Sequence, residues 1–113
     1  MSARREVALW VAQRATAAIL ALCVVVHLIT IVYAVRGGFS AADILGRTRG
    51  SVLWGSFYTV FVMAAALHGA IGLRTIAAEW LGFRGPAAEF ATTVVGVALA
   101  MTGLRAVFAV VAA

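Results

Sequence analysis

The sequence predicts an all-α, integral membrane, three-helix subunit. Three observations carry that prediction. Of 113 residues, 65% are hydrophobic and only 12% are charged, about half the charge of a soluble domain. The charges leave three long gaps: 21 uncharged residues between Arg14 and Arg36, 24 between Arg49 and Arg74, and 15 after Glu89 before Arg105. The first two exceed, and the third, continued by eight apolar residues after Arg105, matches the ~20 apolar residues that cross a ~30 Å hydrocarbon core at ~1.5 Å rise per residue. Finally, Trp10, Trp54 and Trp80 fall near the ends of these stretches, where an aromatic belt sits in the membrane interface.

The spans are expected near 12–35, 52–79 and 88–111, within a single transmembrane domain covering 1–113. "MSARREVALW" reads as a basic interfacial segment with Trp10 as its anchor. The first span ends at "VYA", which resembles a signal-peptidase site, but the apolar region is too long for a cleaved signal. In the first loop Gly37-Gly38 marks a turn, and Ser40 and Asp43 have capping-box spacing before a short surface helix. In the second loop the only proline, Pro86, fits the first turn of the third helix.

All nine basic residues are arginine and the formal net charge is +5. They border apolar runs, which suits lipid headgroups and gives no nucleic-acid face. Arg4, Arg5, Arg14, Arg74 and Arg84 fall on one side of the membrane, and Arg36, Arg47, Arg49 and Arg105 on the other; the small excess favours a cytoplasmic N-terminus. Cys23 is the only cysteine, which excludes an internal disulfide, a thiolate cluster and a CxxCH attachment. No dinucleotide-binding glycine loop or catalytic constellation is present.

His27 and His68, the only histidines, both fall inside spans, where ionisable groups are rare and usually functional. No Asp or Glu lies within a span interior, which disfavours a proton-coupled transporter. Two roles remain open for the histidines. They can bond neighbouring helices together, or a neutral imidazole can ligate haem iron. Around His68, Ala64, Ala65 and Gly72 share its helical face and Gly69 adjoins it. Such small residues admit a flat macrocycle, and equally they permit close helix packing. Arg74, about 9 Å along the axis, could meet a haem propionate or snorkel to the headgroups.

His68, Gly72 and Arg74 form H-x-x-x-G-x-R at the end of the second span. This resembles the cytochrome b membrane-anchor subunits of succinate:quinone oxidoreductases, namely succinate dehydrogenase and fumarate reductase. Arg14-Ala15-Thr16 is similar to that family's R-x-S/T near the quinone site. His27 resembles the first-span haem ligand of the two-haem members. Where single-haem members often carry a serine, four residues before Arg14, this chain has Trp10. The resemblance implies haem b held by His68 and His27 as axial ligands, with Gly72 and Arg74 beside the cofactor. It also implies a quinone substrate near Trp10, Arg14 and Thr16, and flavoprotein and iron–sulfur subunits as partners. The expected location is a bacterial cytoplasmic membrane. Tyr33 and Tyr58 are further polar residues that could meet a quinone.

The two histidines are not expected to share one iron. From the Arg14/Arg74 face, His27 lies about 20 Å deep and His68 about 9 Å deep, whereas two axial ligands of one haem need nearly equal depth. Each therefore needs a histidine from a second anchor chain, identical or related, which would complete a haem-binding bundle. Two haems per pair of chains would then stack across the membrane. Arg105, about 22 Å along the third helix, would pair a propionate of the deeper haem or snorkel to the far headgroups. The competing function is a structural or assembly membrane protein whose histidines only bond helices together.

Overall fold

The computed structural model describes residues 2–112. Four helices follow in order: α1 (Ala3–Arg36), α2 (Ala41–Thr48), α3 (Val52–Leu81) and α4 (Pro86–Val111). Helices α1, α3 and α4 are each long and apolar enough to cross a membrane. The molecule extends 49 × 24 × 23 Å.

Helix α1 begins nine residues before the expected span, so the basic N-terminal segment is helical and continuous with it. The reason is local: Arg, Glu, Ala and Leu are good helix formers, and no Gly or Pro interrupts them. The Ser2 side chain caps the helix by accepting from the Arg5 N–H at 3.3 Å. The 34 residues of α1 span about 50 Å, longer than a ~30 Å hydrocarbon core, so its ends reach beyond the apolar layer.

Helix α2 forms as the spacing predicts. The Asp43 N–H donates to Ser40 Oγ, and the Ser40 N–H donates to Asp43 Oδ2 at 2.8 Å. That backbone donor holds the Asp43 carboxyl below its ordinary value. At its other end α2 closes α4. The Thr48 hydroxyl donates to the Val110 carbonyl and the Gly50 N–H to the Val111 carbonyl, each at 2.7 Å. Both carbonyls belong to the last turn of α4, which has no intrahelical donors left. Helix α3 stops at Gly82, whose φ of 65° suits a left-handed cap, and Pro86 opens α4 as expected.

Helix α3 is central, with α1 and α4 packed against it. Its buried contacts are mostly small groups: Ala64 and Ala66 are buried together with Ile71, while most large apolar side chains point outward. This is membrane packing, because apolar surface gains little by leaving lipid and close approach of small residues supplies the attraction. At Gly96 of α4, an added Cβ would lie 2.8 Å from Ala70 Cβ. Gly96→Leu is therefore expected to force α3 and α4 apart at a cost of about 1–3 kcal/mol. The thermal midpoint of the detergent-solubilised protein should fall. Gly46→Leu on α2, with open space around it and a better helix former in place of glycine, should not lower that midpoint.

Candidate functional site

A cleft of about 700 Å³ opens between α1 and α3. Glu6, Trp10, Gln13, Arg14 and Ala17 line it from α1, and His68, Ile71, Arg74 and Thr75 from α3. Glu6, Trp10, Gln13 and Ala17 are spaced three or four apart and so share one face, with Arg14 beside Gln13 and one turn after Trp10. Arg14 lies over the Trp10 ring, 5.3 Å from its centroid. Gly72 lets α1 approach: an added Cβ would stand 3.3 Å from Gln13 Nε2. Gln13 Oε1 is buried without a hydrogen-bond donor among the described residues.

The half-buried His68 meets Thr16 across the helix pair. Its Nδ1 lies 3.1 Å from Thr16 Oγ1, and Thr16 is only 6% exposed. Thr16, expected at the quinone, thus packs against the histidine and is not among the residues lining this cleft.

Arg74 is neither lipid-facing nor waiting for an anion. Its Nη2 lies 3.0 Å from Glu6 Oε1 and its Nε 3.4 Å from Glu89 Oε1, while Arg5 Nη1 lies 3.0 Å from the same Glu89 oxygen. These four residues join α1, α3 and α4 at one membrane face. By sequence alone, Arg5 and Glu6 fall in the interfacial segment and Glu89 at the border of the third span. The available signal was the helical register of Glu6 with Trp10 and Gln13.

His27 occupies a second, smaller cleft of about 440 Å³. Its Nδ1 is 3.4 Å from the Tyr58 hydroxyl, and Tyr58 and Phe61 meet its ring edge-on, each at 5.7 Å between centroids. Tyr33, Phe39, Arg47 and Trp54 also line this space. The Arg47 guanidinium stands 4.2 Å from the Phe39 ring centroid, an arrangement that spacing along the chain did not indicate.

The two histidines are not brought together. Thr16 marks the level of His68 and Tyr58 marks that of His27; the separations on α1 and α3 both give about 15 Å along the axis. Arg105 is exposed on α4. It falls between Gly103, which abuts Val62, and Val111, which abuts Gly55, so it lies near the level of Tyr58 and His27.

The donor set suits a metal held in a macrocycle. Among the described residues, no three His, Cys, Asp or Glu side chains converge to hold a bare ion. A porphyrin supplies the in-plane nitrogens and asks the protein for axial ligands alone, and a neutral imidazole is a good one. His68, at the cleft between α1 and α3, is the residue there that could hold such a group.

The model of one protein family, described as succinate dehydrogenase/fumarate reductase transmembrane subunit, matches residues 1–111. No curated protein and no solved structure matches the chain.

Proposed function

Because the chain belongs to the succinate dehydrogenase/fumarate reductase transmembrane subunit family, we propose that it anchors flavoprotein and iron–sulfur subunits to the membrane and binds haem b through His68. One observation carries the haem assignment: an imidazole with Nδ1 against the buried Thr16 lines a roomy cleft flanked by Arg14 and Arg74. Haem b would supply one-electron transfer between the iron–sulfur subunit and quinone.

The chain's own residues divide the work. His68 ligates, and Gly72 shapes the site by admitting Gln13 and α1. Arg74 would reach a propionate only by exchanging it for Glu6 or Glu89. At the cleft's α1 wall, Arg14 can donate to a quinone carbonyl oxygen and Trp10 offers an aromatic face. His27 would ligate a second haem with a histidine of a second anchor chain, and Arg105 is near that level for a carboxylate partner. The rival reading, in which histidines only bond helices, is strongest at His27, where Tyr58 lies within hydrogen-bond reach of Nδ1.

Deleting this chain from the assembled complex tests the anchor assignment. Succinate or fumarate turnover with a soluble dye should pass from the membrane to the soluble fraction, and quinone-linked activity should disappear. Membrane-bound, quinone-active complex without the chain would refute it.

A further inference from the structure

We propose that Thr16 is a positioning residue for His68: it fixes the imidazole as the Nδ1–H tautomer and so leaves Nε2 as the nitrogen available to ligate. The inference rests on the reading of His68 as a haem ligand, and it moves Thr16 from quinone contact to ligand orienter.

The direction of each hydrogen bond follows from counting protons. A threonine hydroxyl carries one hydrogen and two lone pairs. Thr16 Oγ1 has three polar neighbours: the Ala12 carbonyl at 2.7 Å, the Gln13 carbonyl at 3.1 Å and His68 Nδ1 at 3.1 Å. At 2.7 Å two oxygens need a hydrogen between them; that separation is typical of O–H···O, and without the proton the lone pairs repel. A carbonyl cannot donate, so the hydroxyl hydrogen goes to Ala12. The hydroxyl then has only lone pairs for His68. The 3.1 Å contact is a hydrogen bond only if Nδ1 carries the proton, and 3.1 Å lies within the N–H···O range. Thr16 is buried, so water does not compete for either position.

Neutral imidazole has one N–H. With it on Nδ1, the lone pair is on Nε2. A hydrogen bond from the far ring nitrogen is the usual means of fixing the tautomer and ring angle of a ligating histidine, and it raises ligand basicity. His27 differs. The Tyr58 hydroxyl is 3.4 Å from its Nδ1, and Tyr58 makes no other hydrogen bond among the described residues that would settle where its proton lies. Thr16 has no counterpart there, so His27 serves as an internal control.

The test uses three forms, wild type, Thr16→Val and Thr16→Ser, with two readouts. The first needs no haem. Long-range proton–nitrogen NMR of the full chain in lipid, labelled with nitrogen-15 histidine, resolves the two histidines. His68 is expected as the Nδ1–H tautomer in wild type and Thr16→Ser. In Thr16→Val it should populate the Nε2–H form, with His27 unmoved. The second readout is haem in the assembled complex. Thr16→Val should weaken haem retention about 10- to 100-fold and shift the midpoint potential upward, because a less basic imidazole stabilises ferric iron less. Thr16→Ser should restore both. If Thr16→Val keeps the Nδ1–H tautomer, retention and potential of wild type, the proposal is overturned. A wild-type complex without haem would overturn the cofactor reading, and the tautomer result would then decide the role of Thr16 by itself.

Discussion

His68→Ala is expected to remove the haem nearer the Arg74 face and to reduce the yield of assembled complex. The substitution deletes the only histidine beside the larger cleft. The loss should exceed the roughly 10- to 100-fold typical of removing an outer-shell partner, so haem at this site falls to background. Two further effects follow from the same change. Thr16 Oγ1 loses its donor inside the helix pair, and α3 loses a side chain facing α1. Acid-acetone extraction and reduced-minus-oxidised spectra, normalised to polypeptide, measure the first effect, and the recovery of membrane-bound complex measures the second. Full haem content with an unchanged spectrum would make His68 a packing residue.

His27→Ala should delete a different haem and leave the His68 haem spectrally intact. The axial separation of about 15 Å is too large for one iron, while pairing with histidines of a second chain at matching depths needs no distortion. The two centres should have distinct midpoints, since their surroundings differ: His68 has arginine and glutamine beside it, whereas His27 sits among Tyr58, Phe61 and Trp54. Redox titration of each variant resolves this. One haem per pair of anchor chains, unaffected by His27→Ala, would leave His27 as a residue that bonds α1 to α3 through Tyr58.

The three long helices were legible because charge gaps of spanning length have few other physical meanings, and the Ser40–Asp43 cap and Pro86 because they act within a single turn. The start of α1 was less legible: charged residues before Trp10 look like surface, yet a helix pattern continues through them. The Arg5–Glu89–Arg74–Glu6 group draws on three helices, and no local spacing announces such a meeting. Rotation about each helix was the main loss. Helices that are apolar all round give no hydrophobic face to orient them, so the direction of Thr16 toward His68 and of Gly72 toward Gln13 emerged only from the packed pair. The depth offset of the histidines survived because rise per residue is independent of rotation.

The most direct test of the central claim is the reduced-minus-oxidised absorption spectrum of the purified complex, taken with its extractable haem per copy of this chain. A low-spin b-type spectrum with non-covalently bound haem, lost on His68→Ala, is the predicted result. An intact, quinone-active complex that yields no extractable haem would contradict it.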